Sequence, residues 1–452
     1  MSLIMETKPQ SSGSLDRVDP ILAAFDGIER VSREDPIRYQ LPLRKAGLSR
    51  FAELGFPTLS QEDWRYTNVA EITQLPFQLA QPASPSLVLP LLEQHPLAGI
   101  DGDRLVFVDG HYLPEASSVG PLPAGVRIHS LKAALQDLDC AASRRLAGSR
   151  SVEEDAFAAL NTAFFTDGAY LEVPAGVVLE RPLHILHIKV EGMAFPRSLV
   201  VAGANSQFTV VESFWGLSSA TGLTSSVTEV YADSGANVEH VKFQDESPKS
   251  YHIASLLARM AENAHVLSHS FALGGRIARQ SIRTALEGPG VECVLNGLFL
   301  GRASQLLDHH MVVDHAKPHC ASHEYFNGIL TDRSRGVFHG RILVRKDAQK
   351  TDAKQTNKNL VLSDDAEVDT KPQLEIYADD VKCTHGATVG QLNSESVFYL
   401  RSRGIGLDRA RRMLIHAFAG EITERVCHAA LREALDRLIW DRLEVIARLG
   451  DS

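Results

Sequence analysis

From about residue 168 the chain alternates apolar and polar positions, in "GAYLEVPAG", "LHILHIKV", "SLVVAG", "QFTVVESFW", "SVTEVYAD" and "NVEHVKFQ". Side chains two apart in a strand share a face, so this alternation predicts strands with one face turned inward. Short turn signals of similar flavour separate them: Gly203-Ala204-Asn205, Gly235-Ala236-Asn237, Glu262-Asn263-Ala264 and Glu287-Gly288-Pro289-Gly290. The steps between these anchors are about 32, 27 and 25 residues, and a similar spacing continues to "DHAKPH" at 314–319 and "RKDAQK" at 345–350. No helix-length pattern interrupts the stretch. Strand groups recurring at a coarse fixed period predict a β-solenoid, in which each coil buries its inward face on the next. The alternative, a β-sandwich, would have to be unusually large. A solenoid ends in a strand edge that must be capped or joined to another chain.

The flanks read differently. "LDRVDPILAAFDGIERVSR" and "LRKAGLSRFAELGF" place apolar residues three and four apart and predict amphipathic helices. Pro-rich "LPFQLAQPASPSLVLPLLEQHP" interrupts them, and "DRLVFVDGHYLPE" predicts a strand pair around Asp109-Gly110. "SVEEDAFAALNTAFF" opens with a capping box, Ser151 and Glu154, before an apolar helical run. After the strands, "GLDRARRMLIHAFAGEITERV" carries Leu407, Ala410, Met413, Leu414, Ala417, Phe418, Ile422 and Val426 at helical spacing, and "HAALREALDRLIWDRLEVIARL" a second stripe. Periodicity alone favours packing of these helices on the body over display to a partner. The expected organisation is a mixed, mostly helical region over 1–167, a solenoid core over 168–403 and a helical region over 404–452.

Composition narrows the function. The chain has 452 residues, 44% hydrophobic and 23% charged, with 46 basic and 56 acidic side chains for a net charge of −10. That is the profile of a soluble globular protein, and its mild acidity argues against nucleic acid or an anionic membrane as the main partner. No apolar run approaches a membrane span, and the N-terminus has no apolar core of a secretory signal. Five scattered cysteines without a C-x-x-C suit a reducing cytosol rather than a disulfide framework. A cytoplasmic location is expected.

The common catalytic signatures are missing: no phosphate-binding loop, no H-E-x-x-H, no nucleophile elbow and no dinucleotide fingerprint. Histidines gather in "LLDHHMVVDHAKPHCASHEYF", as His309, His310, His315, His319 and His323 beside Cys320. Such donors suit zinc or iron. Adjacent His309 and His310 face opposite sides of a strand, however, and the others are read as turn residues, so structural roles are the simpler account. In "DDVKCTHGATVG", Cys383 and His385 share a strand face with Val381. Three readings stay open for this pair: a packed cysteine beside a satisfied histidine, a thiol activated by its neighbour, or two ligands for an iron–sulfur species.

A longer stretch, "DAQKTDAKQTNKNLVLSDDAEVDTKPQLEIYADDVKCTHGATVGQL" at 347–392, closely resembles the signature region of the SufB/SufD family of iron–sulfur cluster assembly scaffolds. "QEDWRYTN" at 61–68, "LNTAFFTDGAYLEVPAGVVLERPLHI" at 160–185, "PHCASHEYFNGIL" at 318–330 and "FYLRSRGI" at 398–405 agree. The short "DDVKCTHGATVGQL" ending resembles SufD rather than SufB, and no cysteine stands where SufB would carry its sulfur-accepting one.

The resemblance implies a right-handed β-helix between helical ends and a non-enzymatic scaffold subunit. It implies pairing with SufB through the β-helix edge and docking of the ATPase SufC on the C-terminal helices, with Leu407, Met413, Leu414, Phe418 and Ile422 as the docking stripe. By the same resemblance His385 is a ligand for iron or a nascent iron–sulfur cluster, held transiently and shared with SufB, and Cys383 its auxiliary. No nucleotide is expected on this chain itself. An isolated chain is expected to form a homodimer through the edge meant for SufB. The rival readings are a β-helix carbohydrate-active enzyme, for which "SDDAEVD" supplies acids, and a purely structural homodimer.

Overall fold

A computed structural model describes residues 19–34, 40–137, 141–148 and 154–448. Its centre is a β-solenoid with helical regions at both ends, as the alternation predicted. Successive strands go alternately to two sheets, each of ten strands among the described residues, and neighbours within each sheet through the core run parallel. Asn237 pairs with His265, His265 with Glu292, Glu292 with Ala321, Ala321 with Asp352 and Asp352 with Lys382, so each coil consumes 27 to 31 residues. This is the coarse period visible in the turn signals.

The turns explain their own composition. Gly176, Asn205, Gly235, Asn263, Gly290, His319 and Lys350 all have positive φ. Each donates its N–H to a carbonyl in the turn one coil on, from Ala204 to Ser234, Glu262, Pro289, Pro318, Gln349 and Asp380 in order, so a backbone ladder runs up this corner. Left-handed backbone favours glycine and asparagine. At Gly235 a Cβ would also lie 2.3 Å from Asn205 Oδ1, so the asparagine of one coil fills the space its glycine neighbour leaves.

Between the sheets, Val200, Val210, Val230, Val238, Leu256, Val266, Ile282, Leu295 and Met311 form the main apolar core. The sheets begin earlier than the expected boundary at 168. Strand Asp103–Val108 pairs parallel with Leu183–Lys189, and Arg127–Ser130 pairs antiparallel with Ala169–Val173. Arg127–Ser130 is too short to display an alternation. The hairpin at Asp109-Gly110 forms as expected, pairing Phe107 with Tyr112, with both turn residues at positive φ.

Helices Leu41–Leu54 and Ala156–Phe164 cover one outer face through Phe51, Phe157, Leu160 and Phe164, joined by Trp64 of the short turn Glu62–Trp64. Ser151 lies outside the described residues; the helix is capped by Asp155, whose carboxylate accepts from the N–H groups of Phe157 and Ala158. The same helix is tied to the sheet by a buried cation. Arg197 donates to Glu229 Oε1 at 2.7 and 3.0 Å and to Asn161 Oδ1 and Thr162 Oγ1 at 3.1 and 3.0 Å, with both charged side chains fully enclosed.

At the other end, helices Leu407–Thr423 and Ala429–Arg448 lay Ile415, Ala419, Ile422, Leu431, Leu435, Ile439 and Leu443 against Val241, Phe243, Phe271 and Leu298 of the outer sheet face. Asn327 donates to the Phe418 carbonyl at 2.9 Å and Lys358 meets Glu421 at 2.8 Å. Among the described residues no helix is long and apolar enough to cross a membrane.

Removing one member of a buried ion pair strands the other. Glu229→Ala is expected to destabilise the protein by about 3–5 kcal/mol in denaturant unfolding. A loss under about 1 kcal/mol would show that water, not Glu229, satisfies Arg197.

Candidate functional site

Strand Lys382–Gly390 is the last of its sheet and has one neighbour, Asp352–Val361. Cys383 pairs in register with Ala353, and His385 with Gln355, both fully buried inward-facing residues. The cysteine and histidine therefore occupy the inward face of a strand that no further coil covers. His385 is exposed and Cys383 half-buried. Cys383 rests against Ile342, Val344, Ala348, Ala353 and Ala378.

Burial, then the charge of Asp352, pushes the Cys383 thiol above its ordinary range, against a lowering hydrogen bond from the Ala353 backbone. Surroundings that favour the protonated thiol do not support the activated-nucleophile reading. The other described cysteines are also held up: Cys293, to about 12, and Cys320 and Cys427, each chiefly by burial. Cys140 lies outside the described residues.

The column beneath His385 was not singled out from the sequence. Gln355 donates through Nε2 to Glu324 Oε2, and burial raises that carboxyl to about 7, against the lowering hydrogen bond from Gln355. Oε1 of each is buried without a partner. Their signal was parity: "ASHEYF" and "DAKQTNKN" stand one coil apart in register.

Around the pair, the solenoid end is open and partly apolar. Ile376, Tyr377, Val389, Phe398 and Tyr399 are exposed, and helix Ser394–Ser402 buries none of its residues. Of the predicted stripe, Met413 is exposed and Leu407, Leu414 and Phe418 are half-buried. Ile422 is 1% exposed and packs on the solenoid with Phe418 beside it, so its side chain is closed to a partner.

The histidine-rich stretch divides. His309 points inward, within hydrogen-bonding distance of Ser270 Oγ at 2.9 Å and close to the Phe299 and Phe326 rings. His310 points outward toward Asp63 and His339. His315 and His323 lie in strands, not in the turn where the sequence had put them; only His319 is a turn residue.

Residues 186–418 match the family described as "SUF system FeS cluster assembly, SufBD core domain", and residues 36–185 match "SufBD protein N-terminal region". The chain belongs to the SufB/SufD family. It is 34% identical to the iron–sulfur cluster assembly protein SufD of Escherichia coli, over 90% of this chain and 94% of that one. An iron–sulfur cluster assembly SufBD family protein of Synechocystis is 32% identical over 88% and 89%. A chloroplastic Arabidopsis protein named ABCI7 is 30% identical over 62% and 61%. The SufD name of the Escherichia coli relative agrees with the SufD-like ending read in "DDVKCTHGATVGQL".

A thiol held protonated reacts slowly with electrophiles until pH rises through its raised pKa. Alkylation of Cys383 by iodoacetamide, followed residue by residue by mass spectrometry, is expected to show a midpoint above the ordinary thiol value of about 8.5. A midpoint below that value would mean the cysteine is activated.

Proposed function

We propose that this Suf-system cluster-assembly protein is a non-catalytic scaffold subunit that pairs with SufB through its terminal strands and offers His385 and Cys383 to iron or a nascent iron–sulfur cluster. The observation that carries this reading is the exposed imidazole on a strand paired along one edge only, with one thiol beside it. Two donors do not complete the coordination of an iron, which in clusters takes four ligands including bridging sulfides. Among the described residues, neither belongs to a group of three potential ligands. The missing donors therefore come from sulfide and from the facing subunit.

A parallel strand added to Lys382–Gly390 would pair its unpaired backbone groups and cover Val389 and Tyr377. SufC docks on the outward side of the C-terminal helices, at Leu407, Met413 and Leu414. Ile422 and Phe418 belong to the face that transmits its movement to the solenoid. Nucleotide-driven closure of the ATPase supplies the free energy, because packed helices can pass on a shift but not originate one.

Replacing His385 by Ala is expected to leave assembly with SufB and SufC intact and to reduce cluster yield to background in anaerobic reconstitution lacking other scaffolds. Normal yield would remove His385 from the mechanism. A pull-down in which the wild-type chain captures neither SufB nor SufC, yet forms a stable dimer, would favour the structural-homodimer reading.

Met413→Glu is expected to weaken SufC binding by about tenfold or more while unfolding stability stays within about 0.5 kcal/mol of wild type. Unchanged affinity would place the ATPase on another surface.

A further inference from the structure

The segment "QEDWRYTN" lies across the outer face of the solenoid sheet, and Glu62, Asp63, Trp64 and Thr67 each reach strand residues. Glu62 meets Lys371 and Gln373, Arg279 stacks on Trp64 at 3.9 Å, and Thr67 donates to Asp308 at 2.5 Å. Asp63 projects between Arg283 and a pair of histidines. His310 and His339 are register neighbours on strands Leu306–His315 and Arg335–Val344, and their ring centroids are 4.3 Å apart. Asp63 Oδ1 lies 3.6 Å from His310 Nε2, and ligand atoms of Asp63, His310 and His339 all fall within 4.8 Å of one another. Among the described residues this is the only such group of three. Asp63 and His310 also line a cleft of about 380 Å³, which opens to solvent between helix and sheet.

We propose that Asp63, His310 and His339 form a binding site for a divalent first-row transition metal, with ferrous iron matching the donor set. Two histidines and one carboxylate on one side of an ion, with positions left open, are the arrangement of non-haem ferrous sites. Two atoms each about 2.1 Å from one ion stand about 3.0 Å apart at an octahedral angle and about 3.4 Å apart at a tetrahedral one. The Asp63–His310 separation of 3.6 Å is too long for a hydrogen bond and slightly wider than either spacing, so a small inward movement of the partly exposed Asp63 would close it on an ion.

A neighbour sets the tautomer of His339. Its Nε2 lies 2.7 Å from Gln373 Oε1, and donation of Nε2–H there leaves Nδ1 with a free lone pair. His310 is 2% exposed, and its Nδ1 has no hydrogen-bond partner. Burial, with Arg279 nearby, keeps His310 neutral. Burial does the same for His339, against the raising hydrogen bond from Gln373. Metal ligation requires the neutral imidazole.

Nearby cations do not cancel the site. Arg279 is paired with Asp308, Arg283 with Glu154 at 3.0 Å, Lys371 with Glu62 and Arg341 with Glu375 at 3.5 Å. Asp63 meets Arg283 more loosely, at 3.7 Å through its other oxygen, and so remains the negative charge in excess beside two neutral rings. A bound ion would pin the N-terminal segment to two successive coils. The site involves neither Cys383 nor His385 and is independent of their role.

The test is anaerobic titration of the full chain with Co(II), for its ligand-field spectrum, and with Fe(II), for affinity. The wild type and the double variant Cys383→Ser/His385→Ala are expected to bind one equivalent at this site with a histidine-and-oxygen spectrum. Asp63→Asn and His339→Gln, near-isosteric changes, are expected to lose at least tenfold in affinity. Gln373→Ala, which removes only the group holding His339, is expected to cost about 10- to 100-fold. Metal is also expected to raise the unfolding temperature of the wild type, a readout that survives if a variant folds poorly. Absence of binding by the wild type, loss of all binding in the Cys383/His385 double variant, or wild-type affinity in Asp63→Asn and His339→Gln would each overturn the proposal.

Discussion

A stack of parallel coils satisfies its backbone sideways, each strand pairing with the coil before and the coil after, and the last coil has only one side to pair. Everything distinctive about this chain follows from where that ladder stops. Its early coils are closed by the short strands before residue 168. Its final strands, Glu367–Ile376 and Lys382–Gly390, stay open, and the helix after them buries nothing. A long open edge in a stable protein invites association, and its presence beside exposed Tyr377, Val389, Phe398 and Tyr399 is what the proposed pairing rests on.

The interior that leads to this edge is not uniformly apolar. Toward one corner it is valine, leucine and methionine; elsewhere on the same strands it holds Glu212, His240, Lys242 and His252, with Glu246 just past a strand end. Burial alone would push Glu212 up, but His187 and His240, at 3.5 and 3.4 Å, outweigh it and hold the carboxyl well below the usual range. Such groups contribute less to stability than an apolar filling would, yet each needs its specific neighbour. A one-residue slip of a strand would turn every one of these charges to the wrong face. The polar interior therefore fixes register, and register is what delivers Cys383 and His385 together to the inward face of the last strand.

How much of this was legible in the sequence depended on distance along the chain. The coil period, the Asp109-Gly110 hairpin and the C-terminal stripes are local or repeating signals, and each forms as expected. Cys383 and His385 were legible because a strand's period is short. Capping at Asp155 turned on a single side chain's choice of partner. The trio of Asp63, His310 and His339 was beyond reach: "LLDHH" supplies one histidine, but its companions come from the next coil and from a segment nearly 250 residues away. Periodicity tells which face a residue takes and cannot tell what will be laid over that face. Ile422 shows the same limit, since the stripe that marks a helix for burial looks like one that marks it for docking.

In the proposed role the two end residues are not equivalent. His385 is exposed, and an imidazole in solvent can take up iron without displacing neighbours. Cys383 is half-sunk in an apolar cluster, with its proton held on by burial and by Asp352. A cation arriving at His385 would reverse that balance, because positive charge nearby favours the thiolate and a bound thiol gives up its proton. The order that follows is imidazole first and thiolate second, with the proton released to solvent or to the buried acid column below. A scaffold must hold its cluster and then give it away, and a ligand whose hold weakens as soon as the metal leaves serves that end better than a permanent thiolate would.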